Sequence, residues 1–309
     1  MKRFLSIGEC MIEMAPLEGG LFRKGFAGDT LNTAWYARAF LPTNWAVDYF
    51  TALGHDQQSQ DMSAFLEKAG IGTSLIKHIE GKSPGLYMIS LSNGERSFSY
   101  WRDTSAARLL AADRDHLRAA IDASDVVYFS GITLAILSEA DARTFLEEVK
   151  RARDLGKLVA FDPNIRPRLW RNAAAMRATI SAGAEVSTIA LPSFDDEAST
   201  FGDASIEACF ARYRALGARN ILVKDGARGA HFDFDGAKGF VAANKVEQVV
   251  DTTGAGDSFN GSFFAAYLQN GDAARAAAFA ASVAAAVVTE RGALVDHELL
   301  KSRSDIRPN

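Results

Sequence analysis

Cysteine is nearly missing from this chain: Cys10 and Cys209 are the only two among 309 residues. Two thiols so far apart in sequence make neither a disulfide framework nor a cysteine metal site, and they suit a reducing cytoplasm. Histidine is sparse too, and the five are scattered with no pair at metal-ligand spacing. No dense Lys/Arg run occurs and the net charge is −4, so binding driven by counterion release from nucleic acid, or by anionic lipid, is not expected. Long apolar runs are absent as well. Glu9 and Glu13 interrupt the N-terminal one, which removes a signal-peptide core. The late stretch Ala273 to Val288 is mostly alanine and carries Arg275, the pattern of a buried helix rather than a bilayer span. Internal repeats and low-complexity linkers are also lacking. With 48% apolar and 23% charged residues, these absences leave an ordinary globular protein whose partner is a small molecule.

What is present is a strand–helix rhythm. Phe4 to Met14 reads as a first strand and Thr30 to Phe40 as a helix, capped by Asp29 or Thr30 after a Gly-rich link. Trp45 to Ala52, the helical pattern Gln57 to Ala69 and the β-rich Ser74 to Ile79 continue it. Leu86 to Leu91 and Arg96 to Trp101, around the turn Ser92-Asn93-Gly94-Glu95, predict a β-hairpin. Alternation then resumes through apolar strands at Asp125 to Phe129, Leu158 to Asp162, Val186 to Pro192 and Asn220 to Lys224, with helical stretches between. A short β region, Ala230 to Val241, precedes two Ala-rich helices, Ala255 to Gln269 and Asp272 to Thr289. Strands buried on both faces with crossover helices predict one α/β domain over residues 1–309 with a mainly parallel sheet. The hairpin, joined by the chain around residues 11–27, forms a small inserted antiparallel lid with segment 81–102.

The most informative segment is Asp251-Thr252-Thr253-Gly254-Ala255-Gly256-Asp257-Ser258-Phe259-Asn260-Gly261. It follows the strand-like Val246 to Val250 and opens a long helix, so main-chain amides and the helix dipole converge on one point, a ready anion site. Gly254, Ala255 and Gly256 are small enough for a phosphate to approach the backbone. Asp257 beside that hole has two readings. One is a plain helix cap. The other is a general base for an attacking hydroxyl, which explains why a carboxylate is placed where it repels a ground-state phosphate. The helix N-terminus is expected to keep it ionised at neutral pH. The dinucleotide fingerprint fails here, because its third glycine is missing, and Walker A is absent from the chain.

At this point the sequence resembles the ribokinase-like (PfkB) sugar kinases. Residues 251–259 resemble their C-terminal signature, and Ala27-Gly28-Asp29-Thr30-Leu31-Asn32-Thr33-Ala34 resembles their glycine-rich sugar-binding turn. Within that family, Gly85-Leu86-Tyr87, Tyr100-Trp101-Arg102 and the run Asp162 to Trp170 are similar to the 2-keto-3-deoxygluconate kinases. The resemblance implies a ribokinase-like three-layer α/β sandwich and an ATP- and Mg²⁺-dependent kinase that makes the 6-phosphate of 2-keto-3-deoxygluconate. It implies Asp257 as proton acceptor, with Gly254, Ala255 and Gly256 as the anion hole. Gly28, Asp29, Thr30, Leu31, Asn32, Tyr87, Tyr100, Arg102 and Arg166 would hold the sugar acid. Asn164, Arg166, Lys224, Gly226 and Gly229 would line the nucleotide site.

An aldonic acid brings a carboxylate that favours a guanidinium, which suits Arg102 and Arg166. A solvated edge charge for Arg102, and a structural ion pair for Arg166, are the competing readings. Tyr87 and Tyr100 are expected to face the same side of the hairpin, either as a ligand surface or as ordinary cross-strand packing. Where many of these enzymes carry Asn-x-x-Glu, this chain has Ser193-Phe194-Asp195-Asp196-Glu197, whose Asp196 and Glu197 are expected to act on a hydrated Mg²⁺ through water; no direct metal ligand is assigned. A neutral-sugar kinase of the fructokinase or ribokinase type, and a silent nucleotide- or sugar-sensing protein, are the alternatives. An oligomer formed through the lid is expected.

Overall fold

The computed structural model describes residues 1–92, 95–303 and 306. The chain runs β1 (Lys2–Ile7), β2 (Met11–Pro16), β3 (Phe22–Ala27), α1 (Asp29–Phe40), β4 (Trp45–Phe50), β5 (Ala52–Leu53), α2 (Gln57–Lys68), β6 (Lys77–His78), β7 (Gly85–Ser92) and β8 (Glu95–Trp101). It continues α3 (Arg114–Asp122), β9 (Val126–Ser130), α4 (Gly131–Ile136), α5 (Glu139–Asp154), β10 (Leu158–Asp162), α6 (Ala173–Glu185), β11 (Ile189–Ala190), α7 (Phe194–Phe201), α8 (Ile206–Ala215) and β12 (Asn220–Lys224). The last part holds β13 (Gly229–Phe234), β14 (Ala237–Ala242), α9 (Ala255–Asn270), α10 (Ala273–Val287) and α11 (His297–Ser302). The Asn93-Gly94 turn read from the sequence lies outside the described residues.

Eight strands form the main sheet in the order β14-β13-β12-β11-β10-β9-β1-β4. It is parallel from β12 to β4, and β13 and β14 complete it antiparallel. Successive side chains of a strand leave on opposite faces, and here both faces are covered. Phe4, Val47, Tyr128 and Leu222 enter a core shared with α1, α9 and α10. Leu5, Val127, Phe161 and Val223 enter a second core with α3, α5, α6 and α8. The apolar runs 126–130 and 220–224 follow from that double burial. The chain builds outward on both sides of β1, so the crevice beyond the C-terminal ends of β1 and β9 is the topological switch point, where open α/β sheets place ligands.

Four expectations from the sequence differ here. The expected strand Phe4 to Met14 is two strands in two sheets, broken where Gly8 passes so close to Thr30 that a Cβ would lie 2.3 Å from its Oγ1. Val246 to Val250 forms no strand; the amide of Val250 instead bonds the carbonyl of Val288 (2.8 Å) at the end of α10. Only residues 189–190 of Val186 to Pro192 join the ladder. The small sheet, β3-β2-β7-β8, is also mixed rather than antiparallel throughout, because β2 runs parallel to β7. Its Met11, Ala27, Tyr87 and Ile89 pack with Ala293.

Helix α9 lies against α1 at Gly261, where an added Cβ would sit 2.3 Å from the Thr33 carbonyl oxygen and 2.8 Å from the Tyr36 Cβ. That contact sets how near the two helix starts come. Gly261→Ala should push the helices apart and cost about 1–3 kcal/mol, read from the urea midpoint; an unchanged midpoint would show that the approach is not tight.

Candidate active site

Most helices of the described residues begin on a side chain that bonds their first amides: Asp56 for α2, Asp113 for α3, Ser138 for α5, Asn172 for α6, Ser205 for α8 and Asp272 for α10. Three do not. Helices α1, α7 and α9 start after Gly28, Ser193 and Gly254 without a side-chain cap, and each carries an aspartate in its first turn: Asp29, Asp196 and Asp257. Open helix N-termini hold partial positive charge and unpaired amides, and these three gather at the crevice.

The glycines permit this. Gly28 is extended, at φ 172°, and packs on the chain leaving β1, where a Cβ would lie 2.2 Å from the Glu9 carbonyl oxygen. Gly254 has φ +76°, a left-handed conformation that favours glycine, and rests on Ala293. The Ala255 amide is engaged by the Thr252 carbonyl (3.2 Å), and the first intrahelical bond runs from Ser258 to Gly254 (2.8 Å). The amides between them, of Gly256 and Asp257, make no backbone hydrogen bond among the described residues.

Asn32 donates through Nδ2 to Asp257 Oδ2 (2.7 Å), joining motifs 225 residues apart. Its Oδ1 accepts from the Gly28 amide (3.3 Å). Asn164, at φ +34°, donates to Asp29 Oδ2 (2.7 Å) and, through its amide, to Asp162 Oδ1 (3.0 Å). Lys224 Nζ donates to Asp162 Oδ2 (2.8 Å) and lies 3.8 Å from where a Cβ on Gly256 would be. Arg166 stands at the rim, half exposed, 3.7 Å from Asp196.

The expectation that the helix start keeps Asp257 ionised at neutral pH is overturned. Burial, then repulsion from Asp29 and Asp162, outweigh the Asn32 bond and the Lys224 charge and push its carboxyl up to about 7. Burial, aided by Asp162, raises Asp196 as well. Its neighbour Glu197 leaves the site altogether: it is fully buried, bonded to Arg212 (2.6 Å) and Tyr213 (2.9 Å), so its expected action on a hydrated cation is withdrawn. The neighbouring residues point apart because one helical step turns the side chain by about 100°.

Two residues of the sugar-turn motif also turn inward. Leu31 is core, and the buried Thr30 hydroxyl pairs with the Tyr49 hydroxyl (2.9 Å), so neither side chain reaches the crevice. Tyr87 and Tyr100 stand directly opposite, ring centroids 5.9 Å apart and so on one face. The Tyr87 hydroxyl donates to Glu13. Arg102 is buried rather than solvated; it pairs with Glu9, which also accepts from Ser105 (2.6 Å), and the Arg102 Nε has no hydrogen-bond partner among the described residues. The turn after β12 is closed by the Asp225 amide on the Gly229 carbonyl (2.7 Å), with Gly226 at φ +54° and Gly229 at φ +135°. Sequence reasoning missed Glu9, Glu13, Asp162 and Asn260 as site residues. Asn260 left a signal, three residues after Asp257 on one helix face, and Asp162 opened the run that carried the resemblance.

Fold and site together define a ribokinase-like α/β protein in which the starts of α1 and α9 face each other across one crevice. Residues 1–298 match the pfkB family carbohydrate kinase model, and the chain belongs to that family. It is 38% identical over 306 residues to a 2-dehydro-3-deoxygluconokinase of Dickeya dadantii, covering 97% of this chain and 98% of that one. It is 35% identical to the 2-dehydro-3-deoxygluconokinase of Haemophilus influenzae, with 96% of each covered. Among solved structures, the fructokinase of Xylella fastidiosa with bound ATP superposes with a TM-score of 0.81 at 27% identity, over 94% of this chain and 93% of that one.

Asp257 is ionised in the unfolded chain above its ordinary 3.8 but in the fold only near 7. Its contribution to stability is therefore fully present below 3.8 and lost as pH rises to about 7. Ligand-free Asp257→Asn should match the wild type at pH 4 and exceed it by about 4 kcal/mol at pH 8 in urea unfolding. A variant weaker at both pH values would contradict the raised carboxyl.

Proposed function

We propose that the chain transfers the γ-phosphoryl group of ATP to the terminal hydroxyl of 2-keto-3-deoxygluconate, also called 2-dehydro-3-deoxygluconate. The observation that carries this is the Asn32–Asp257 bond, which sets a half-neutralised carboxylate against open amides where a hydroxyl and a phosphate can meet. Asp257 takes the hydroxyl proton as the oxygen–phosphorus bond forms and the bond to the β-phosphate oxygen breaks, releasing ADP and the 6-phospho sugar acid. The Gly256 and Asp257 amides, the α9 dipole and Lys224 stabilise the charge on the moving phosphoryl. Asn164, Arg166 and the Gly226–Gly229 turn flank the nucleotide.

Among the described residues no trio of His, Cys, Asp or Glu could hold a metal ion directly. A hydrated Mg²⁺ still fits, because Asp29, Asp162, Asp196 and Asp257 face Lys224 and Arg166 alone and leave negative charge to balance. When bound it would neutralise the phosphates; Asp196 would hold it through water.

The sugar acid lies over Gly28, Asp29 and Asn32, beneath Tyr87 and Tyr100, with its carboxylate toward Arg102 and Arg166. Strands β2, β3, β7 and β8 act as a lid that excludes water while the hydroxyl is aligned. Leu17, Leu21, Phe22 and Trp101 of this lid are 40–66% exposed, and we propose that they meet a second copy of the chain. The buried free thiols Cys10 and Cys209 suit a cytoplasmic setting.

A neutral-sugar kinase is the second reading, favoured by one observation: Glu9 already compensates Arg102 inside the protein. ATP-dependent turnover of sugar acids beside fructose and ribose decides between them. Asp257→Asn should leave sugar-acid binding nearly intact and cut turnover by about 10²-fold or more; unchanged turnover would refute the base. Arg102→Ala should raise the sugar-acid KM at least about tenfold and spare any neutral sugar, whereas equal loss on both would remove the carboxylate role. Trp101→Glu should convert an oligomer to monomers in light scattering; a wild type already monomeric at micromolar concentration excludes the lid contact.

A further inference from the structure

Beneath the anion loop lies a buried polar cluster in which Asn260 has no role assigned so far. It is fully buried, one helical turn after Asp257. Its Nδ2 donates to Asp162 Oδ2 (2.6 Å) and to the Tyr128 hydroxyl (3.1 Å), and its Oδ1 accepts from Lys224 Nζ (3.3 Å). The Tyr128 hydroxyl also accepts from Thr33 Oγ1 (3.2 Å), on α1. An amide can accept from an ammonium and donate to a carboxylate at once. A carboxylate at 260 would repel Asp162, and an apolar side chain would leave buried polar groups unpaired.

We infer that Asn260 is a positioning residue that clamps the Lys224–Asp162 pair, so that the lysine ammonium stays beside Gly256 and the phosphoryl in flight. Lys224 is a long, flexible cation, and against Asp162 alone it can swing along the carboxylate. The second acceptor, rigid on α9, fixes it relative to the same helix turn that carries the base and the open amides. The inference rests on the phosphoryl-transfer reading above and extends it to a residue that touches neither substrate.

The test is a kinetic double-mutant cycle on the full chain with Asn260→Ala, Lys224→Met and the double variant, each checked for folding by thermal melting. If Asn260 acts through Lys224, Asn260→Ala lowers kcat by roughly 10- to 100-fold while the acceptor KM stays within about threefold. In the Lys224→Met background the same change then alters kcat by less than about threefold. Should Asn260→Ala not fold, Asn260→Ser, which keeps a small neutral polar group but is too short to hold Lys224, takes its place in the cycle with the same pattern expected. Three results overturn the inference: kcat within threefold of wild type, a loss undiminished in the Lys224→Met background, or an acceptor KM that rises as far as kcat falls. A wild type that phosphorylates only a neutral sugar overturns the sugar-acid reading alone, and the cycle is then read on that sugar.

Discussion

Three helix N-termini left open by their own sequence set the electrostatics of this protein. Gly28, Ser193 and Gly254 make no side-chain cap bond, while α2, α5 and α6 are capped by Asp, Ser and Asn. Amides without internal partners await an external one, and an anion answers them. Burial first, then repulsion from Asp29 and Asp162 at Asp257 and from Asp162 and Asp195 at Asp196, raises both carboxyls. A polar cluster of this kind persists only inside a rigid surround, supplied here by the two cores on either face of the sheet and by the close packing of α1 on α9 at Gly261.

Adjacent acidic residues on α7 have opposite fates. Asp196 looks into the crevice toward Arg166, and Glu197 looks away into a buried set with Arg212, Asp203 and Tyr213. Burial pushes Glu197 up to about 7 although Arg212 opposes it. The pairing anchors the helix that presents Asp196, so a charge network outside the site holds a charge within it. Glu9 and Arg102 do the same where the chain passes from the main sheet to the small one. A guanidinium buried there needs an internal carboxylate, and its unpartnered Nε leaves one donor for a ligand.

Local patterns were legible in the sequence wherever their physics is local. The Gly254–Asp257 loop announces itself by small residues before a helix, the flanks of the hairpin by alternation, and the parallel sheet by doubly buried runs such as Val126–Ser130. Tyr87 and Tyr100 could be placed together because strand pairing has a period of two. Pairings across long separations left no such trace: Asn32 with Asp257, Glu9 with Arg102 and Glu197 with Arg212 depend on how the elements dock. Valine-rich stretches misled for a related reason. Val246 to Val250 has strand composition, but its amides find the end of α10 before a neighbouring strand. The acidity of Asp257 was misjudged because the helix dipole was visible in sequence while its burial, and the convergence of Asp29 and Asp162 on it, arise only in the fold.

The account stands on Asp257 being a base whose proton affinity is tuned by that convergence. The most direct measurement is the pH dependence of kcat/KM for 2-keto-3-deoxygluconate with magnesium and ATP. The predicted profile falls tenfold per unit below a break near pH 7. A profile that stays level down to pH 5 would contradict it.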